Sequence, residues 1–363
     1  MDRARRSHDF FFSRRLSGDV CAGSRERTGK GGARLSALGE RRALAVGQRQ
    51  AACALFSLFG LFACVAAGAA ASGEAAGAAA ASPRALLAPL APPVATFEEQ
   101  VAELVNQERA NCTLAGCPRS PLKLVSLLRD LAHEHSASMA LDDYFSHCDF
   151  STGLDPFERM IAAGYIYFFA AENIAGASAT PAAAMAVWMG SAGHRANILA
   201  DGFRELGVGY YFQSGDLANV DYDGNGDCDC TDSGESCSYQ ALARYWTQMF
   251  GMRNTVYPLV IEQERHQTSS GTVDLYVYGP ASALDMRFSN DGRNWSAWQA
   301  FAHDAVWSLA AGDGLRAVFS EVRNSTTVYR ACDRIWRTGA GGVEIFVDGL
   351  DCDGTGAWSQ AEP

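Results

Sequence analysis

The chain has 363 residues, with 41 Asp and Glu against 30 Lys and Arg and a formal net charge of −11, long enough for two domains once a leader is set aside. The charge is uneven: residues 1–50 hold 12 basic and 5 acidic side chains, leaving 18 and 36 for the remainder, a net of −18. A body this acidic repels phosphate at long range, which argues against nucleic acid as a partner and suits solubility and divalent cations.

Residues 1–50 are Arg-rich with no apolar period, and Ala51 to Ala71 is apolar and free of charge. Together, residues 1–72 read as a basic leader with a signal-peptide core. A basic segment of fifty residues is too long for an ordinary n-region, so a start at Val46 is expected, leaving Arg49 before the apolar core. Ser13-Arg14-Arg15 resembles a twin-arginine signal but lies far from that core. Leu61-Phe62-Ala63-Cys64 is close to a lipobox, which makes a lipid anchor through Cys64 the alternative to simple cleavage. Residues 73–94 are Ala/Gly/Pro-rich, cannot build a core and read as a linker.

The pattern becomes globular over residues 95–253. Val101, Leu104 and Val105 form a helical stripe within Glu98 to Arg109, and Leu124, Leu128, Leu131 and His135 continue such a stripe. Asp155, Pro156 and Glu158 make a near capping box for a third helix, which Gly164 ends. Thr180 is a fitting N-cap, Pro181 suits the first helical position, and the Ala-rich run to Trp188 favours helix. Ser191-Ala192-Gly193 breaks it, and His194 to Leu199 forms a further short turn, with Ser191 better placed to cap it than to act as a nucleophile. Glu205 to Phe212 and Ala243 to Phe250 are Val/Tyr/Trp-rich and read as strands.

Glu172 precedes the Ala-rich helix and His194 follows it, while His147 lies past another helix. Two His and one Glu suit a first-row metal such as zinc, or equally an acid/base cluster. The bland alternative is a pair of structural histidines. His133 and His135 point to nearly opposite sides of one helix and cannot share a metal, so His135 is expected to pack and His133 to be solvated.

Eight segments in order carry a family resemblance: Leu104–Ala110 (LVNQERA), Leu131–Ala140 (LAHEHSASMA), Tyr144–His147 (YFSH), Asp155–Tyr165 (DPFERMIAAGY), AENIA from Ala171, VWMGSAGHRANIL to Leu199, Glu205–Phe212 (ELGVGYYF) and Tyr245–Gly251 (YWTQMFG). The region resembles the CAP superfamily, the SCP-like domain of cysteine-rich secretory and pathogenesis-related proteins, in its bacterial branch. The resemblance implies an α-β-α sandwich with a shallow cleft holding His147, Glu172 and His194. Animal and plant members usually add a second Glu three residues after the Trp. Ser191 stands there, so a four-residue set is not expected.

Between the last two strands, Asp221, Asp223, Asn225, Asp227 and Asp229 alternate, with Gly226 at the sixth position and Asp232 at the twelfth. This is close to the calcium-loop template of oxygen ligands at alternate positions and Gly at six. It departs from it in the shorter Asp at twelve and the missing helix pair, but five anionic or amide oxygens gathered in nine residues repel unless a cation is present, which favours calcium over a solvated acidic loop. Setting the leader aside leaves Cys112, Cys117, Cys148, Cys228, Cys230, Cys237, Cys332 and Cys352, an even set that suggests disulfides in an exported chain. Cys112–Cys117 and Cys332–Cys352 are the plausible local pairs. The other four are expected to pair among themselves, a zinc site from Cys228, Cys230 and Cys237 being disfavoured by poor spacing.

Residues 254–363 alternate short Val/Tyr/Phe/Trp runs with turn signals and read as an all-β accessory sandwich resembling the Ig-like repeats of bacterial surface proteins. Trp295, Trp298 and Trp307 could form a carbohydrate-stacking face, although such residues more often pack in cores and turns. Asp348, Asp351 and Asp353 form a second acidic group. The fold class is thus α+β: a CAP-type α-β-α sandwich followed by an all-β Ig-like sandwich. The expected role is extracellular binding of a lipid, glycan or protein through the cleft, by a protein that is secreted or held at the surface. A metal-dependent extracellular hydrolase and a structural adhesin are the rivals. No Ser elbow or HExxH motif points to a particular reaction.

Overall fold

The computed structural model describes residues 12–15, 94–217, 220–222, 241–340 and 352. Helix α1 (Phe97–Asn111) starts where Thr96 and Glu99 form a reciprocal capping box, satisfying two N–H groups that the first turn leaves without helical partners. Helix α2 (Ser126–Leu141) follows the two-residue strand β2 (Lys123–Leu124). Helix α3 (Pro156–Ala162) has the Asp155–Glu158 capping box complete. Gly164 then takes φ +84, a conformation cheap for glycine alone. Helices α4 (Pro181–Gly190) and α5 (Ala192–Ile198) are capped by Thr180 and Ser191. Four of these five helices carry a side-chain cap at their start, whereas α2 begins after Val125 without one.

The remaining strands of this half are β1 (Phe12–Arg15), β3 (Tyr144–Phe145), β4 (Phe169–Gly176), β5 (Glu205–Phe212), β6 (Asp221–Tyr222) and β7 (Arg244–Met252). The main sheet runs β1-β4-β7-β5-β2, with β7 antiparallel to both β4 and β5 and β2 parallel to β5. Strand β1 extends the β4 edge, Phe12 opposite Glu172. It falls within the segment read from sequence as a basic leader, where no alternation announces a strand.

Alternation along β5 and β7 divides the sheet into two faces. Leu206, Val208, Trp246 and Phe250 pack against Val101, Val105, Met185, Trp188 and Ile198 of α1, α4 and α5. On the other face, Met249 and Ala170 pack with Leu128, Ala132, Phe157 and Met160 of α2 and α3. Gly207 and Gly209 let α2 lie on that face: a Cβ on either would stand 2.1 Å from the backbone carbon of Leu128 or of Ala132. The result is three layers, helix on sheet on helix.

The C-terminal region is a two-sheet sandwich. One sheet contains β8 (Leu259–Ile261), β10 (Thr272–Val277) and β13 (Asp304–Ser308). The other contains β9 (Gln267–Thr268), β11 (Asp285–Ser289), β12 (Gln299–Ala300), β14 (Gly314–Arg323) and β15 (Val328–Arg337). Leu259, Ile261, Val273, Leu275 and Val277 from the first meet Met286, Phe288, Val318, Val322 and Ile335 from the second.

Both regions fall in one compact unit. Three consecutive non-glycine residues, Glu262, Gln263 and Glu264, hold φ of +46, +58 and +65 between them. Each such residue costs roughly 1–3 kcal/mol and persists only where its surroundings fix it. Here Asn106 Nδ2 donates to the Gln263 carbonyl at 3.1 Å, Lys123 Nζ to Glu264 Oε1 at 2.9 Å, and the Asp274 N–H to Glu262 Oε1 at 3.0 Å. Lys123 also donates to Asp333 Oδ1 at 2.5 Å, and the Ile261 N–H to Asp333 Oδ2 at 2.7 Å.

Candidate functional site

Glu172 lies at the middle of β4, opposite Met249 of β7, and is fully buried. Its two oxygens have different partners. His147 Nδ1 stands 2.8 Å from Oε1, and Arg159 Nη2 stands 2.6 Å from Oε2. The Nδ1–H tautomer of His147 follows from that geometry, since a carboxylate only accepts. Arg159 also donates from Nη1 to the His147 carbonyl at 2.7 Å and the Leu154 carbonyl at 3.2 Å. One guanidinium thus ties the loop carrying His147 to the strand carrying Glu172. Burial raises the Glu172 pKa, but the charge of Arg159, with lesser contributions from His135 and His147, outweighs it and holds the carboxyl down at about 2.

His135 lies within the same cluster and is 1% exposed, packed inside as the helix pattern implies. Its Nε2 donates to the Ser146 carbonyl at 3.0 Å and stands 3.9 Å from Glu172 Oε1. Desolvation foremost, then the charge of Arg159, lowers its pKa to about 3, so the ring is neutral at ordinary pH. His133, on the other side of α2, has a half-exposed side chain.

His194 is reached through amides. Its N–H meets Ser191 Oγ at 3.4 Å, and its carbonyl accepts from Asn173 Nδ2 at 3.2 Å. Asn197 Nδ2 donates to Asn173 Oδ1 at 2.8 Å and to the Glu172 carbonyl at 3.3 Å, while Asn173 Nδ2 also donates to Gln248 Oε1 at 3.0 Å. The cap that Ser191 supplies to α5 is the role read from sequence, and it occupies the hydroxyl. His147 and His194 are 4% and 8% exposed, so both are buried rather than on the open surface.

The residues suit a transition metal only in part. Among the described residues, no group of three or more His, Cys, Asp or Glu is arranged to hold an ion. Glu172 already meets an imidazole and a guanidinium, and a cation there would compete with the Arg159 charge. Arg159, Asn173 and Asn197 complete the site, and sequence reading did not single them out. Their signal was position: each lies inside a segment already matched for other reasons.

The calcium-loop candidates Asp223, Asn225, Asp227, Asp229 and Asp232 lie outside the described residues, as do Cys228, Cys230, Cys237 and the acidic group Asp348, Asp351 and Asp353. Asp221 begins β6, which pairs in parallel with Tyr144–Phe145, two residues before His147. The acidic insertion therefore starts beside the loop that carries His147. Cys112–Cys117 and Cys332–Cys352 are disulfides, with Cα atoms 5.7 and 5.0 Å apart, and Cys148 is also disulfide-bonded.

The three Trp of the C-terminal region do not share one face. Trp307 packs on Phe288 and donates to Asn290 Oδ1, beside the sandwich core. Trp298 carries the Arg287 guanidinium 4.4 Å and the Arg323 guanidinium 4.2 Å from its ring centre. Trp295 has Arg287 at 5.0 Å. These ring faces are engaged by cations, which is the packing role rather than a sugar platform.

Residues 102–221 match the cysteine-rich secretory protein family, CAP. The uncharacterised protein YkwD of Bacillus subtilis is 38% identical over 117 residues, 32% of this chain. The chain spans 43% of the length of that curated relative. Two solved structures are similar over 43% of the chain: an extracellular protein with an SCP domain from Bacillus anthracis, 26% identical over 40% of its length with a TM-score of 0.30, and an outer surface protein of Borrelia burgdorferi, 14% identical over 94% of its length with a TM-score of 0.31. The chain carries a CAP superfamily domain of the bacterial branch, within an α+β fold whose C-terminal region is β-rich.

Proposed function

We propose that this protein is an exported binding module, secreted or surface-held, that recognises an extracellular ligand at the CAP depression through His147 and His194. One observation carries this reading: both oxygens of Glu172 are engaged, by His147 and Arg159, and its pKa is held at about 2. A carboxylate so committed is poorly suited to taking a proton from water or entering a metal's coordination shell near neutral pH. It is well suited to fixing the tautomer and direction of His147. The reading includes export through the apolar segment at Ala51–Ala71, calcium in the Asp221–Asp232 loop, and an Ig-like accessory role for the C-terminal sandwich.

The test is metal content by mass spectrometry on the exported full chain, alongside a His147→Ala/His194→Ala variant. The expected result is calcium in both and no transition metal that depends on the histidines. Zinc present in the wild type and lost from the variant would overturn the binding-only reading in favour of a metal-dependent hydrolase. Sedimentation with phosphatidylcholine vesicles, sterol-containing vesicles and purified cell-wall material then identifies the ligand class. Retention by at least one, lost in the double variant, is the expected outcome.

A further inference from the structure

A groove lined by none of the His147–Glu172 cluster lies where the CAP domain meets the C-terminal sandwich. Its volume is about 990 Å³, and its walls include Arg119, Glu262, Asp274, Tyr276, His303 and Asp304. We infer that this junction groove is a second binding site, for a hydroxyl-rich glycan chain.

The wall on the sandwich side is set by strand register. Tyr276 stands opposite Asp304, and Asp274 opposite Val306. Paired residues share a face, so these four project together on the side away from the core that takes Val273, Leu275 and Val277. Asp274, Asp304 and His303 are exposed, and Val306 is 68% exposed. Neither Asp274 nor Asp304 has a side-chain hydrogen bond or ion pair among the described residues. The Tyr276 and His303 rings stack at 5.4 Å and 8°, which gives the wall a flat aromatic step beside the two carboxylates.

The floor and the opposite wall are fixed. Ser120 Oγ lies 2.6 Å from Tyr276 Oη, and Tyr278 Oη donates to the Pro121 carbonyl at 2.9 Å. Beneath them, buried Arg109 donates from Nε to the Ser120 carbonyl at 2.8 Å. Arg119 stands on the CAP side, held by the Gly116 and Ala115 carbonyls at 3.1 Å each. Glu262 and Gln263 of the strained turn also line the groove. A site so braced needs little ordering when it binds, which favours affinity.

The chemistry selects among ligands. Two carboxylates without partners repel anionic lipids, nucleic acids and acidic peptides. Arg119 and Arg265 in the same groove oppose a polycationic peptide. The apolar lining, Val260, Leu275, Ala305 and Val306 among it, is interspersed with Arg119, Glu262, Asp274 and Asp304, so an acyl chain would bury charges without offering them partners. A neutral glycan meets all of these groups: vicinal hydroxyls donate to Asp274 and Asp304, ring oxygens accept from Arg119, and a C–H face lies on the aromatic step.

The experiment is isothermal titration of the full chain with cellohexaose and with chitohexaose, using wild type, Asp274→Asn/Asp304→Asn, His303→Ala and His147→Ala/His194→Ala. The Asp-to-Asn changes are isosteric and exposed, and a thermal melt confirms the fold. Saturable binding to at least one oligosaccharide is expected, weakened roughly tenfold or more by the Asp double variant and by His303→Ala. The cleft double variant should bind as wild type does, which separates this site from the first. No binding of either sugar at millimolar concentration would overturn the inference, as would binding that the Asp and His303 variants leave unchanged. Saturable binding of an octalysine probe, lost in the Asp double variant while neither sugar binds, would replace the glycan with a cationic peptide.

Discussion

Arg159 Nη2 stands 2.6 Å from Glu172 Oε2, with the guanidinium side chain 8% exposed and the carboxylate fully buried. Breaking such a pair from one side leaves a charge uncompensated in low dielectric. Arg159→Ala should therefore destabilise the protein by about 3–5 kcal/mol. Arg159→Lys should recover only part of that loss, because a single ammonium cannot reach Glu172, His147 and Leu154 together. Urea unfolding measures both. A loss below about 1 kcal/mol for Arg159→Ala would show that the pair is solvated in solution.

His135 predicts the acid behaviour. Its pKa falls from 6.5 unfolded to about 3 folded, first because of burial. The unfolded chain then binds a proton that the native one refuses, so stability is complete above pH 6.5 and declines as pH falls towards 3. Glu172 adds a further loss only below its unfolded value of 4.5, as pH drops towards about 2. The window between 6.5 and 4.5 therefore reports His135 among these two. Thermal melts across it should show a falling midpoint in the wild type and a flatter profile in His135→Gln, whose amide can still donate to the Ser146 carbonyl. Parallel slopes would rule His135 out as the cause.

What was legible in the sequence was local chemistry. Thr180, Asp155 and Ser191 cap their helices because a cap needs only a side-chain oxygen and the next turn. The short loop between Cys112 and Cys117 closes its own disulfide. Arg159 was not legible, because an Arg in a capped amphipathic helix reads as solvated until α3 is docked on β4. Lys123 is one of only two Lys in the chain, yet its partners Glu264 and Asp333 come from 141 and 210 residues away. The left-handed Glu262–Glu264 turn has no Gly or Asn to announce it, since tertiary contacts impose it. Packing was the commoner expectation for Trp295, Trp298 and Trp307, but the cations over Trp295 and Trp298 were not legible, because Arg287 and Arg323 come together only when β11 pairs with β14.

Gly207 and Gly209 make a sharp packing prediction. A Cβ at Gly207 would meet the Leu128 carbonyl carbon at 2.1 Å, and at Gly209 that of Ala132 at the same distance. These obstacles are helix backbone, which cannot rotate away, so α2 would have to lift from the sheet. Either Gly→Ala change should cost about 3 kcal/mol or more, at the upper end for overpacking. Gly190, at the end of α4, has nothing within 4 Å of a built Cβ, and Gly190→Ala should be neutral or stabilising by about 0.5 kcal/mol. Denaturant midpoints compare the three. Equal effects would mean that α2 sits further from β5 in solution.

The junction of the two regions should weaken as pH rises from 4.5 to about 8. Lys123 lies between Glu264 at 2.9 Å and Asp333 at 2.5 Å, one cation facing two carboxylates. Burial pushes Glu264 up, Lys123 pulls it back, Asp333 adds to the rise, and the carboxyl stands at about 8 against 4.5 unfolded. The native state therefore keeps a proton that the unfolded chain has released, so this contribution is complete below pH 4.5 and is lost as pH rises through 8. The loss is on the order of a few kcal/mol, since each pKa unit is worth about 1.4 kcal/mol. Glu264→Gln keeps a neutral acceptor for Lys123 and removes the titration. Wild-type melting temperature should decline between pH 6 and 9 while that of Glu264→Gln holds level, and limited proteolysis at pH 9 should cut the wild type near Glu262–Arg265 first. A wild type that is as stable at pH 9 as at pH 6 would mean that Glu264 is ionised throughout, with Lys123 neutralising it fully.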